Sequence, residues 1–485
     1  MSPPRGSVGR AARRGRAIAR RFNVVVVVAR CLGRIPARVT RLRPTPRPPG
    51  RTSPPRIPRY LDTSADKFLG TAEDRPRRAR ASGPPLAPAR PVRAHAVPDV
   101  FPSSVAHHQT KTQAAFVVSA SGDKKTAVVT GASSGLGLYT AKALVERGDY
   151  FVVMACRNVA KGQEAAKQLG FAADSYEVME LELGDLANVR NFVKKFRGKK
   201  YAKSLQSLIC NAAIYYPNAV TPTFTKDGFE ETVGVTHLGH FLLANLMLKD
   251  LVGSQDMGID KRLCIVGSVT ANTNTLAGQV PPRANLGDMS GLAAGLNGDR
   301  NANAMIDGDR FIGPKAYKDA KLCNILTVKE MSNRWHEQTG VTFSTMYPGC
   351  IADTPLFRNH TPVFRFLFPL IQKYITKGYV TMQEAGGRLA SVVCEPQYTK
   401  SGAYWAWKGG GDQLWDNYWD NSNRTEAFDN KPSKEGGDMT KAKEMFDMSV
   451  QAVGLKAGEL GPGSFRAGSG GPALPNPFKA LAGAK

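Results

Sequence analysis

The sequence predicts an α/β fold: a single Rossmann-type, doubly wound parallel sheet with a long insertion before one of its helices. Three observations predict it. Short apolar runs alternate with amphipathic helical patterns from residue 124 to residue 349, and buried strands that cross over through helices at such spacing build a parallel sheet covered on both faces. The first run, TAVVT, passes straight into GASSGLG and a helical pattern, a strand-turn-helix setting in which glycines let the backbone approach a phosphate at a helix N-terminus. The stretch AYKDAKLCN sets Tyr317 and Lys321 four residues apart, on one face of a helix, where an ammonium beside a phenol would lower its pKa.

Taken from the N-terminus, residues 1–110 hold 23 Lys and Arg against 5 Asp and Glu, and so supply most of the net charge of +26. The rest of the chain is only mildly basic, which removes the argument for a nucleic-acid partner. No acid precedes Asp62, every basic residue up to that point is Arg, and RPTPRPPGRTSPPRIPR interrupts the segment. Residues 1–115 are therefore expected to be a disordered basic organelle-targeting leader, with a basic arm on the mature protein as the alternative. Its apolar run FNVVVVVA is far shorter than the roughly 20 residues a bilayer span needs. Seven cysteines occur without a C-x-x-C pair or His/Cys groups at zinc spacing, so no metal site and no disulfide framework are expected, and the compartment reads as reducing.

Six strands follow, at 126–130, 150–156, 176–183, 207–213, 263–268 and 341–349, each a short apolar run bounded by turn residues. Helical patterns fill most of the intervals. Between the fifth strand and the Tyr317 helix lie more than 40 residues rich in Gly, Asn and Asp, longer than compact domains ordinarily leave unstructured. After the sixth strand, TPVFRFLFPLIQKYITKGY is aromatic and apolar but broken by Pro369 and basic residues. It fits a lid, a substrate wall or a membrane-surface contact, or else an ordinary core helix. Four of the five Trp lie between 405 and 419, a cluster that more often packs a core or sheet edge than stacks a ligand. A charged helical stretch near 439–453 precedes a Gly/Pro-rich tail. The expected domains are thus the leader 1–115, a dinucleotide-binding reductase domain 116–455 and a flexible tail 456–485.

Gly131, Gly135 and Gly137 form G-x-x-x-G-x-G between the first strand and its helix, with Ser133, Ser134 and Leu136 in the same turn. About twenty residues on, where an NAD site places an acid for the ribose 2′-hydroxyl, the chain has Cys156 and Arg157. A guanidinium there attracts the 2′-phosphate of NADP(H), unless it is simply a solvated surface arginine. NADPH is the expected cofactor.

Together these residues resemble the short-chain dehydrogenase/reductase family. TGASSGLG matches the family's cofactor turn, Asn211-Ala212-Ala213 its fourth-strand motif, Ser268 its active-site serine, Tyr317 and Lys321 its Y-x-x-x-K pair, and YPGC with Pro348 and Gly349 the segment beside the nicotinamide. Within that family, IVGSVTANTNTLAGQVPPRANLGDMSGL, YKDAKLCN, YPGCIA and ITKGYVTMQEAGGRLA are similar to the light-dependent protochlorophyllide reductase branch, of which the long insertion before Tyr317 is a hallmark. The resemblance implies light-driven hydride transfer from NADPH to C17 of a magnesium porphyrin, with a proton delivered to C18, in a chloroplast. It implies Tyr317, Lys321, Ser268 and Cys350 as catalytic groups, Glu182-Leu183 as the adenine-side pair with Asp185 competing, and Ile351 beside the nicotinamide. For Cys350 a small buried residue in a tight turn is the alternative. Peripheral membrane contact and self-association are compatible with it. Two positions depart from the branch: Thr236 stands where Asn is usual, and Asp353 where Thr is common near the cofactor phosphates. Rival readings are a dark carbonyl or retinol-type reductase of the same fold, and a basic binding protein without activity.

Overall fold

In the computed structural model, residues 124–295, 304–375, 378–408 and 426–462 are described. The expected leader, part of the insertion, Trp415, Trp419 and the tail beyond residue 462 lie outside them. Among the described residues one sheet of eight strands runs in the order β3-β2-β1-β4-β5-β6-β7-β8. The strands are β1 (Lys125–Thr130), β2 (Tyr150–Cys156), β3 (Tyr176–Glu180), β4 (Leu205–Cys210), β5 (Arg262–Val266), β6 (Thr342–Met346), β7 (Ala403–Trp407) and β8 (Ala427–Asp429). All neighbours pair in parallel except β7 and β8. β7 and β8 extend the six expected strands, and the expected third strand stops three residues early. Trp405 and Trp407 are buried on β7, so these two members of the tryptophan cluster pack the sheet.

The helices that matter here are α1 (Gly135–Glu146), α2 (Val159–Gln168), α3 (Leu186–Arg197), α4 (Gly239–Gly253), α5 (Gly313–Thr339), α6 (Pro362–Leu370), α7 (Met382–Cys394) and α8 (Met439–Ala452). Strand residues are buried on both faces, as in VVMAC of β2 and LQSLIC of β4, because helices cover each side. One core gathers α3, α4, α5 and α8; the other gathers α1 and α7. From β1 the chain builds outward through β2 to β3, then returns to place β4 on the other side. The loops after β1 and β4 therefore diverge, and the crevice between them is where open α/β sheets bind ligands.

The insertion is not a bare loop. It holds two short helical turns, Leu276–Gln279 and Ser290–Ala293, and is fastened to the start of α5. Lys315 Nζ meets Asp307 (2.7 Å), Asp319 (2.6 Å) and the carbonyl of Asn285 (2.7 Å). Lys318 Nζ donates to the carbonyls of Val280 (2.6 Å) and Pro282 (2.8 Å), and Asp319 accepts from Asn285 N–H (2.9 Å). From the other side, Asn272 and Asn274 donate to the carbonyls of Lys431 and Pro432. Segment 361–379 is not a core helix: no residue of α6 is buried, and Val363, Phe366, Leu367 and Leu370 are exposed. Among the described residues no helix is long and apolar enough to cross a membrane.

Candidate active site

The glycine turn is a cradle shaped by backbone. Gly131 has φ +67°, a conformation that favours glycine. A Cβ on Gly137 would fall 2.5 Å from Asn211 Nδ2 and 2.7 Å from the Gly131 carbonyl, so the turn closes on itself and on the end of β4 only because a side chain is missing there. The α1 N-terminus has no acid in its first turn, and the Ser134 side chain makes no capping bond. Its free N–H groups and positive dipole end stay open to an anion. The hydroxyl of Thr354 stands over the turn, 3.1 Å from where a Cβ of Gly135 would be. This residue escaped the sequence reading, which looked to its neighbour Asp353. The carboxylate of Asp353 accepts a 2.5 Å hydrogen bond from Tyr379 Oη, so the acid that departs from the branch pattern has its own partner.

Asn211, Ala212 and Ala213 follow β4 and are held from below. Thr130 Oγ1 accepts from the N–H groups of Asn211 (2.8 Å) and Ala212 (3.0 Å), and Asn211 Nδ2 donates to the Thr130 carbonyl (2.9 Å). Thr236 lies in a π-helical turn, Gly234–Leu238, at the start of α4, and its hydroxyl accepts from Ile214 N–H (3.2 Å). That hydroxyl is thus spent on positioning the same segment, and its backbone carbonyl takes a bond from Asn324 Nδ2 (3.2 Å) on α5.

At the ends of β2 and β3, the Arg157 side chain is 70% exposed and leans on Glu182 at 3.7 Å. Glu182 in turn accepts from Gly184 N–H (2.9 Å). Leu183 is packed under Gly239, whose missing Cβ leaves room for the Leu183 carbonyl. Asp185 caps α3 through the N–H groups of Ala187 and Asn188 and pairs with Lys226 at 2.6 Å. The Lys226 bond and these N–H groups hold its carboxyl below the ordinary range.

Tyr317 and Lys321 share one face of α5, as the spacing requires. Lys321 Nζ lies 5.8 Å from the Tyr317 ring centroid and donates to the Val266 carbonyl at 2.7 Å, two residues before Ser268. The electrostatics correct the expectation that Lys321 lowers the phenol pKa. Burial comes first and pushes Tyr317 well above its ordinary value, Tyr215 adds to the rise, and the Ser268 hydroxyl pulls the other way. Burial also pushes the Lys321 ammonium down to about 7. Ser268 Oγ lies 2.9 Å from Thr270 Oγ1 and accepts from Thr270 N–H. Cys350 sits in the turn after β6, its carbonyl bonded to Val380 N–H (2.9 Å), and burial pushes its thiol up to about 12. Pro348 is fixed by Arg388, which donates to its carbonyl (2.8 Å) and pairs with Glu384. Ile351 packs with Val380 and Ala385.

An aromatic wall leads away from Tyr317. Its ring meets Tyr215 (centroids 4.8 Å apart), Tyr215 meets His360 edge-on (5.4 Å), His360 stacks on Phe364 (3.9 Å, 15°), and Phe364 stacks on Phe368 (4.6 Å, 18°). Phe357 touches Tyr215, His360, Phe364 and Phe368. A surface of stacked rings continuous with the half-buried Tyr317 ring suits a large flat ligand far better than a small ketone. Tyr215 gave no signal in the sequence beyond following Asn211. Among the described residues no group of His, Cys, Asp and Glu is placed to hold a metal ion.

The family model described as short chain dehydrogenase matches residues 125–278. Over 333 residues the chain is 55% identical to Protochlorophyllide reductase A, chloroplastic, of Arabidopsis thaliana, covering 68% of this chain and 77% of that protein. The chain belongs to the protochlorophyllide reductase family. Protochlorophyllide reductase, chloroplastic, of Chlamydomonas reinhardtii is 51% identical over 356 residues, covering 73% of this chain and 84% of that one. A crystal structure of 3-ketoacyl-(acyl-carrier-protein) reductase from Brucella melitensis complexed with NADH is 20% identical, with a TM-score of 0.41, and covers 58% of this chain and 96% of that one. As a protochlorophyllide reductase family member the chain is an oxidoreductase of the short-chain type.

Proposed function

We propose that this protein reduces the C17=C18 double bond of protochlorophyllide to give chlorophyllide, with NADPH as the hydride source and light absorbed by the bound pigment as the trigger, in chloroplast chlorophyll synthesis. The observation that carries the reading is identity above one half to chloroplastic protochlorophyllide reductases, joined here to an aromatic wall that starts at Tyr317.

NADPH, when bound, supplies the hydride from its nicotinamide. The side-chain-free cradle at Gly137 and the open α1 N-terminus fit its pyrophosphate, with the Thr354 hydroxyl above them. Arg157 fits the 2′-phosphate, Asn211 to Ala213 and Pro348 to Ile351 fit the nicotinamide ribose and ring, and Lys321 offers its remaining N–H groups to ribose hydroxyls. A C=C bond in a porphyrin is a poor ground-state hydride acceptor; excitation polarises it, and a preorganised site then acts from fixed positions. Tyr317, kept protonated by burial, is the proton donor to C18, and Ser268 orients its hydroxyl. Burial likewise keeps the Cys350 thiol protonated, so Cys350 is the second donor candidate or a pigment contact.

Residues 1–115 serve as a plastid leader outside the catalytic domain in this reading. The exposed apolar side of α6 gives the protein a peripheral plastid-membrane contact and a surface for self-association.

Exchanging Arg157→Glu places a repelling charge where the 2′-phosphate binds. NADPH affinity should fall on the order of a hundredfold while NADH affinity changes little, as read by fluorescence titration; equal losses would remove Arg157 from phosphate recognition.

Light tests the whole reading. Mixed with NADPH and protochlorophyllide in darkness, the protein should form a stable complex and no chlorophyllide, and each brief flash should then yield product absorbance. Steady product formation in the dark would instead make this a dark short-chain reductase.

A further inference from the structure

Below the cofactor wall runs a line of buried polar groups that no part of the reaction uses directly. His240 on α4 is 1% exposed, and its Nε2 lies 2.8 Å from Thr130 Oγ1 while its Nδ1 lies 3.2 Å from the Thr236 carbonyl. The line continues from that carbonyl to Asn324, whose Oδ1 is 3.3 Å from His237 Nδ1, and from His237 Nε2 to Ser449 Oγ (3.0 Å) on α8. All six residues are buried.

The hydrogen positions follow from the donors around them. Thr130 Oγ1 already receives two backbone N–H groups, from Asn211 and Ala212, which occupy both lone pairs of a hydroxyl oxygen. Its own proton must therefore be donated, and His240 Nε2 is the acceptor at hand. Nε2 then carries no hydrogen, Nδ1 carries it, and the Thr236 carbonyl is a fitting acceptor on that side. Every group in the set is satisfied by this one arrangement. A proton on Nε2 would face an oxygen with no lone pair left and would cost the bond to Asn211 or to Ala212.

We infer that His240, as the neutral Nδ1–H tautomer, is a positioning residue that locks the Thr130 hydroxyl and so sets the height of the Asn211–Ala213 wall against the glycine turn. The position is tightly bounded, because a Cβ at Gly131 would already stand 3.0 Å from Ala212 Cα. Without the imidazole acceptor, the Thr130 hydroxyl turns to compete for another acceptor and one N–H of the wall loses its partner. The inference rests on the reading of this wall as the NADPH site, but the tautomer it assigns can be measured without any ligand.

Two measurements test it. In a double-mutant cycle on the full chain, His240→Leu and Thr130→Val should each weaken NADPH binding about tenfold, and the double variant should be no weaker than either single. Thr130→Ser, which keeps the hydroxyl, should bind within about twofold of the unmodified protein. Additive losses, or folded His240→Leu protein with unchanged affinity, would overturn the inference. Should His240→Leu fail to fold, ¹⁵N-histidine NMR of the unmodified protein decides: an unprotonated Nε2 at His240 is the expected result, and a hydrogen on Nε2 refutes it. Absence of NADPH binding by the unmodified protein, with that tautomer observed, would count against the cofactor assignment alone.

Discussion

Turnover of Tyr317→Phe should fall by a factor of about 10² to 10⁴, the range that removal of a positioned general acid produces, while the ternary complex still forms. The change deletes one oxygen and keeps the ring, so the contact with Tyr215 at 4.8 Å and the aromatic wall beyond it survive. Pigment affinity should therefore stay within a few-fold of the unmodified protein. What is lost is the proton that burial keeps on the phenol. Flash-induced chlorophyllide yield, measured beside the binding constants of NADPH and pigment, separates the two effects. A variant with unmodified turnover would move proton delivery to Cys350 or to water, and a variant that no longer binds pigment would make Tyr317 a packing residue.

The second large effect concerns stability. Asp319→Ala should destabilise the protein by about 3–5 kcal/mol, the cost of removing one partner from a buried ion pair, and lower Tm on the order of 10 °C. Asp319 is fully buried and Lys315 nearly so. Burial pulls the Lys315 ammonium down, yet Asp319 and Asp307 together outweigh it and hold the group above its ordinary range. Removing Asp319 leaves that charge with Asp307 alone and leaves Asn285 N–H without its acceptor. Asp319→Asn keeps an acceptor for that N–H and should lose less. Thermal unfolding of both variants, followed by circular dichroism, checks the order. If Asp319→Ala shifts Tm by less than about 2 °C, the fastening of the insertion lies elsewhere. Because the triad joins the insertion to the first turns of α5, the same loss should loosen the base on which Tyr317 stands.

The strand-turn-helix at residues 126–146, the parallel α/β class and the Tyr317–Lys321 face were all legible in the sequence, because each is written by local rules. A run of buried residues sets a strand, glycines set the turn, and a spacing of four sets a helix face. The candidate site's residues were picked out for the same reason: Gly131 to Gly137, Asn211 to Ala213, Ser268, Tyr317 with Lys321, and Pro348 to Ile351 each carry their own short motif.

What only the tertiary structure decided is what long-range packing does to those groups. Spacing predicted an ammonium lowering the phenol pKa; burial raises it instead, because desolvation depends on every surrounding element and on no single neighbour. The insertion read as a Gly- and Asn-rich loop, and it is held by Lys315, Lys318 and Asp319, whose partners lie up to 38 residues away in the chain. Segment 361–379 left open a core helix, a lid, a substrate wall or a membrane-surface contact, since an apolar stripe does not say what covers it; α6 proved to have no buried residue, with Phe364 and Phe368 meeting Phe357 and Phe364 also meeting His360. His240 meets Thr130 across 110 residues, and Thr354 meets Gly135 across the sheet crevice. No local pattern carries such contacts. They exist because the strand order places β1 beside β4, with α4 and the turn after β6 closing over the ends, and hydrogen-bond direction acts only once those ends have met.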